Sequence, residues 1–309
     1  MAMIQLNALR LNAVDANIIA LDGVRRRGSH AGAPPVVPDV PDVPEEPDVP
    51  TNPDVDENGY IIFEDAEVAR ICAESWGEGK GLTLQQATEV TSIGTVFNNN
   101  TSITSFNEFD KFTGVTSLGG SDNFTTAGTV GAFYGCTALR TIKFPSSLTA
   151  INGGALADTS ALEVDVSIPN LATLGNNAFR ASGIRRVLNL GRVSAIGKYG
   201  TLSYGGEGVF YGCPNLEVLI LPATTASIPA ATFYNCVAME VAIVLADVPP
   251  SLGNYAFNST GNYPIYVPDA SVAAYREASG WSAYASRIFP ISQLSSDNPD
   301  LYNEIKEYL

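Results

Sequence analysis

Large apolar residues recur along this chain with a period near 23. Phe133, Leu156 and Phe179 stand 23 residues apart, Phe233 follows Phe210 by 23, and Phe257 comes 24 later. The step from Phe179 to Phe210 is 31, which places an insertion of about eight residues within Lys198–Gly208. A fixed period in this range marks a stacked solenoid, whose units cannot bury their apolar faces without neighbours. Each unit repeats one internal pattern. Leu139, Ile142 and Phe144 fall at offsets 0, 3 and 5, as do Leu216, Leu219 and Leu221. Pro145 and Pro222 follow directly and remove a backbone donor where a short strand ends. Ile151, Leu174, Ile196 and Ile228 then point inward before the next Phe.

The energetics require stacking. One unit buries a handful of large apolar side chains at roughly 1.5–3 kcal/mol each. Ordering its backbone costs about 1–2 kcal/mol per residue. A lone repeat therefore stays unfolded. Between 91 and 130 the pattern is irregular, but Ile93, Phe97, Ile103 and Phe106 hold repeat-like positions. The Gly/Thr-rich stretch 119–131 and the Lys198–Gly208 insertion depart most from the repeat. Insertions in solenoids collect on one face, often the binding face. Phe124, Tyr199 and Tyr204 are therefore candidate binding-loop residues, since aromatic residues are favoured at interfaces.

The chain before the repeats divides in three. Residues 1–32 contain Ile4, Leu6, Leu9, Leu11, Ile18, Ile19 and Leu21 in short alternating runs around a Val-Asp-Ala-Asn turn. A hairpin of this size is marginal alone, so these residues predict a docking or oligomerisation segment. The segment does not read as a secretory signal, because Arg10 interrupts its apolar run. Residues 33–58 hold eight Pro and eight acidic residues in 26 positions. That composition predicts an extended linker reaching up to about 80 Å at ~3.1 Å per residue. Residues 59–90 place Val68, Ile71 and Cys72 on one helical stripe, then Leu82, Leu84 and Ala87 after a Gly-rich turn, as an N-terminal cap would. At the other end, Tyr263–Pro268 predicts a last strand. A helix through Val272, Tyr275 and Ala278 follows, capped by Asp269 or Ser271. Residues 293–309 read as a polar link and a short helix from about Asn298, with Leu301, Ile305 and Leu309 at helical spacing.

Three stretches carry a family resemblance: AFYGCTALRTIKFP at 132–145, VFYGCPNLEVLILP at 209–222 and TFYNCVAMEVAIV at 232–244. They resemble the BspA-like leucine-rich repeats of bacterial surface proteins. The ending IYVPDASVAAYREASGWSAYASRIFPIS at 265–292 is similar to that family as found in gut Bacteroidetes and their phages. The resemblance spans about Ser92 to Ser292. It implies an α/β-type repeat solenoid with short strands over 91–263, closed by a strand–helix cap and terminal helix over 264–309. The 59–90 module resembles an EF-hand-like or dockerin-like leader, but one that has lost its ligands. Only Glu78 remains in its acidic loop, Lys80 adds a repelling charge, and Gln86 stands near the expected closing carboxylate. Calcium needs several carboxylates at alternating positions, so a structural cap is expected and no metal.

Charge and composition narrow the chemistry further. The net charge is −15, from 32 acidic against 17 basic residues. Such a surface repels nucleic acid phosphates, and no apolar run approaches the roughly 18 residues of a membrane span. Cys136, Cys213 and Cys236 each follow a repeat Phe by three residues, which predicts a packing column. A disulfide between Cys213 and Cys236 stays open as an alternative. The sole histidine, His30, adjoins the linker, so a Ser–His or Cys–His couple lacks a base within the repeats. No catalytic residue and no cofactor are expected.

These expectations combine into a non-enzymatic surface protein of a phage virion, a head fibre or a tail-associated decoration protein. Its N-terminal segment would dock on a capsid or tail protein, and its repeats would adhere to host or gut glycans or proteins. A dimer or trimer is the expected assembly. The alternative is a bacterial cell-surface or secreted adhesin with the same repeats.

Overall fold

The computed structural model of the chain describes residues 52–120, 131–197 and 208–309. The docking segment 1–32 and most of the linker lie outside them. The chain already belongs to the folded unit at 52–58, inside the stretch predicted as linker. Val55 bridges Ile61, and Asp54 pairs with Lys111 at 2.9 Å. The cap forms for local reasons. Helix α1 (Ala66–Trp76) buries Val68, Ile71 and Cys72, and the Asp65 carboxylate accepts from the N–H groups of Glu67 and Val68 at its start. Helix α2 (Leu84–Glu89) begins in a capping box in which Thr83 and Gln86 satisfy each other's backbone donors. Gln86 thus serves a helix end. Between the helices, Gly81 lies under the Tyr60 ring, where an added Cβ would come within 2.5 Å of it.

Beyond the cap, the chain winds through two parallel ladders. The first runs through β1 (Ser105–Phe106), β3 (Thr141–Ile142), β5 (Asp165–Ser167), β7 (Arg186–Asn189), β8 (Val218–Leu221), β10 (Val241–Val244), β12 (Ile265–Val267) and β13 (Ile288–Pro290). The last six form one sheet. The second holds β2 (Ser117–Leu118), β4 (Ala150–Ile151), β6 (Thr173–Leu174), β9 (Ser227–Ile228) and β11 (Ser251–Leu252), each two residues long. Every pairing within them is parallel.

The repeat motif is explained column by column. Two residues after each repeat Phe or Leu the backbone turns left-handed, at Asn99, Gly135, Asp158, Ala181, Gly212, Asn235 and Ser259, with φ between 51° and 69°. Gly, Asn and Asp tolerate that region best, which accounts for the Phe-Tyr-Gly-Cys and Phe-Tyr-Asn-Cys wording. The phenyl rings stack: Phe179–Phe210 at 5.5 Å, Phe210–Phe233 at 5.4 Å and Phe233–Phe257 at 5.1 Å, all within 8° of parallel. Trp281 ends this column, 6.0 Å from Phe257. Cys136, Cys213 and Cys236 donate their thiols to the carbonyls of Phe97, Phe179 and Phe210 on the preceding rungs, at 2.9–3.1 Å. All four cysteines are buried free thiols.

The C-terminal end departs from expectation in two ways. Helix α3 (Val272–Glu277) has no side-chain cap. The Ser271 hydroxyl instead donates to Asp247 C=O at 2.7 Å, and the Asp269 carboxylate accepts from Ser292 N–H at 3.0 Å. Both tie the lid down, a use that outcompetes capping. The predicted polar link is itself helix α4 (Ile291–Asp297), and α5 (Pro299–Ile305) follows with Asn298 as its cap. Tyr275 and Trp281 close the last rung by donating to Ala246 and Pro250 carbonyls, each at 2.7 Å.

Candidate functional site

In a strand with one buried face, alternate residues are exposed. β8 (VLIL) and β10 (VAIV) break that rule, because all four residues of each are buried. Leu219, Leu221, Ala242 and Val244 enter the solenoid core. Val218, Ile220, Val241 and Ile243 face outward, where with Leu188 and Tyr266 they form a second apolar cluster. Leu294 of α4 and Ile305 of α5 close it. The Tyr266 hydroxyl donates to the Asp297 carboxylate at 2.8 Å. Burial first, and that carboxylate second, push the phenol pKa up. Arg186 holds the far side, paired with Asp165 and, at 2.7 Å, with Glu304. The broad sheet face is thus occupied by the chain's own C-terminus.

A charged groove runs along the edge of that face. Arg140, Glu163, Arg185, Glu217 and Glu240 stand on successive rungs just before their strands, as the backbone bonds Glu163→Arg140, Glu217→Arg185 and Glu240→Glu217 show. Arg140 pairs with Glu163 at 3.6 Å and Arg185 with Glu217 at 2.8 Å. Together with Asn298, Leu301 and Glu304 of the C-terminal helices, the later members enclose a cavity of about 480 Å3. Exposed pairs of this kind are worth about 0.2–1 kcal/mol each, so the groove gives charge complementarity more than stability. On the turn edge beside the phenylalanine column, the half-buried Tyr211 and Tyr234 rings stack at 5.3 Å. Tyr134 and Arg180 occupy the same repeat position, and Arg180 pairs with Asp158 at 3.0 Å.

Among the described residues, no three His, Cys, Asp or Glu side chains gather to hold a metal, and no helix is long and apolar enough to cross a membrane. Burial raises the thiol pKa of Cys136 to about 12 and pushes those of Cys72 and Cys213 up as well. Asp65 goes the other way. Burial opposes its charge, but hydrogen bonds from Thr104 N–H and hydroxyl, and from Val68 and Glu67, outweigh it and lower the pKa. Those bonds fasten α1 to the first rung.

Phe124, Tyr199 and Tyr204, and the anchor candidates Ile4, Leu6, Leu9, Leu11, Ile18, Ile19 and Leu21, lie outside the described residues. The residues that shape the groove and the closed face were not among those candidates. Their signal was present: an uninterrupted apolar strand such as VLIL implies cover on both faces. The charged column shows only once the rungs are in register.

Comparison with known proteins agrees with this architecture. Residues 94–204 and 203–278 match the BspA type leucine rich repeat region, in six copies. No curated protein sequence matches the chain. A leucine-rich repeat protein from Bacteroides ovatus, solved by crystallography, is similar at 20% identity with a TM-score of 0.41. That match covers 57% of this chain and spans 46% of the other protein's length. With more than half of its residues matched and its rungs built as described, the chain belongs to the family of BspA-type leucine-rich repeat proteins.

Proposed function

We propose that this protein is a non-enzymatic adhesion module of a phage virion surface, a head fibre or tail-associated decoration protein. Residues 1–32 dock on a capsid or tail protein and join copies into a dimer or trimer. Residues 33–51 act as a stalk, and the repeat domain contacts glycans or proteins of the host or the gut. The observation that supports this most is the division of labour along the sequence. An apolar alternating segment and a Pro/Asp stretch precede a repeat solenoid whose buried polar and thiol groups are largely spent on its own rungs. Solenoids of stacked repeats present extended surfaces for binding, and here a charged groove, a tyrosine edge and the second ladder remain open.

The test compares the full chain with a shortened chain beginning at Gly59. Light scattering and co-sedimentation with phage capsids are the readouts. The full chain is expected to assemble and to sediment with capsids, while the shortened one stays a folded monomer. If both remain monomers and neither sediments, the virion role falls. A bacterial surface adhesin then becomes the better account.

A further inference from the structure

The second ladder is interrupted between β6 and the rung at Ala195. On either side the later rung donates to the earlier one: Thr173 N–H to Thr149 at 3.1 Å, Gly175 N–H to Ile151 at 2.7 Å and Ser227 N–H to Ser194 at 3.2 Å. In register with these, Ala195 N–H should meet Ala172 C=O, Gly197 N–H should meet Leu174 C=O, and Leu174 N–H should meet Ala195 C=O. None of the three forms. Ala195 bridges only onward, to Ser227, and Gly197 N–H turns back to Ala195 C=O at 3.0 Å. The opening is confined to this ladder, because on the same two rungs β5 still pairs with β7, with a register shift after Val166, and Phe179 and Ala181 still donate to Val209 and Tyr211. It precedes the insertion that lengthens one period to 31 residues.

The result is a cleft of about 300 Å3, whose lining includes Asn152, Thr173, Leu174, Gly175, Ser194 and Ala195. Among the described residues, none that lines it is charged. Among the described residues, four main-chain groups at its walls have no partner: the N–H of Leu174 and Ala195, and the C=O of Ala172 and Leu174. The exposed Thr173 and Ser194 add hydroxyls. The Asn152 amide nitrogen donates to Leu118 C=O at 2.9 Å, which leaves its oxygen as an acceptor.

Donors and acceptors thus alternate around an uncharged space. Displacing water from such groups without replacing its bonds is costly. An apolar occupant would leave all four main-chain groups unpaired, and a charged one would find no counter-charge. Hydroxyl groups both donate and accept, so a compact polyol satisfies the whole set. The volume sits at the low end of ligand clefts, roughly 300–1,000 Å3, and suits one sugar ring. We propose that this cleft binds one neutral sugar residue of a glycan, an inference that rests on the adhesive function proposed above.

The test uses the full chain and neutral trisaccharides ending in galactose, glucose, mannose or fucose, titrated by NMR. At least one is expected to bind and to slow amide hydrogen exchange at Leu174 and Ala195. Thr173→Trp and Ser194→Trp fill the cleft from exposed positions and should weaken binding by about tenfold or more. Ser251→Trp, on the intact ladder, should leave it unchanged, with circular dichroism confirming that all three variants fold. If none of the four sugars binds, or if the cleft variants bind like the original, the site is overturned. Adhesion of the same full chain to host cell envelopes is measured alongside. Envelope binding without sugar binding sinks the cleft alone, whereas loss of both sinks the adhesive function as well.

Discussion

The two ladders of this solenoid are built from the same repeat, yet their outer faces have opposite fates. On the first, Val218, Ile220, Val241 and Ile243 point outward and are covered by α4 and α5. On the second, the equivalent outward positions are Ser117, Ala150, Thr173, Ala195, Ser227 and Ser251, and among the described residues no helix covers them. The inward residues of both ladders are alike, so the family pattern cannot distinguish them. What differs is the outward residue, and it decides whether a face becomes core or surface.

Placing a charge on each face is the sharpest way to break this comparison. Ile243→Lys buries an unpaired ammonium under the C-terminal helices and should cost about 4 kcal/mol or more in urea unfolding. Next in size is Phe233→Ala, which removes one ring from the stacked column shared by both ladders. It should cost about 3–5 kcal/mol, and a smaller loss would mean that the stack relaxes around the gap. Asp65→Ala removes an N-cap and the tie to Thr104, at roughly 2–3 kcal/mol. Its pH dependence follows from sign. The folded carboxylate has a lower pKa than the unfolded one, whose ordinary value is 3.8. Its stabilisation is therefore complete above that value and fades as pH falls through the folded pKa. The difference between the variant and the original protein should shrink as pH falls below 3.8, as parallel melts will show. Smallest of all, Ser251→Lys on the open ladder should change stability by no more than about 0.5 kcal/mol.

Much of the fold was legible because the repeat is dictated by strong local chemistry. Phe or Leu and the left-handed residue two positions on each have one role, repeated on every regular rung, and a Cys, Ser or Thr follows. The inward set Ile151, Leu174, Ile196 and Ile228 is buried as its spacing implies, and α1 follows its stripe. The second apolar cluster was less legible. Leu294 and Ile305 bury themselves in a cluster that reaches back through Tyr266 and Ile243 to Leu188, and helix α4 carries Ser and Gln that read as a link. Asp65 was hidden for a similar reason. Its value comes from Thr104, which the fold alone brings within 2.7 Å. The ladder break was not legible, since absent hydrogen bonds leave no mark in a sequence.

The most direct test of the closed-face account exploits the inertness of the native thiols, all buried. Cysteines are introduced singly, as I243C and S251C, and maleimide labelling rates are compared under native conditions. The account predicts that S251C labels at the rate of a free thiol, while I243C labels only as fast as the C-terminal helices open. Comparable rates at both positions would mean that α4 and α5 do not cover the sheet, and the distinction between the two faces would fail.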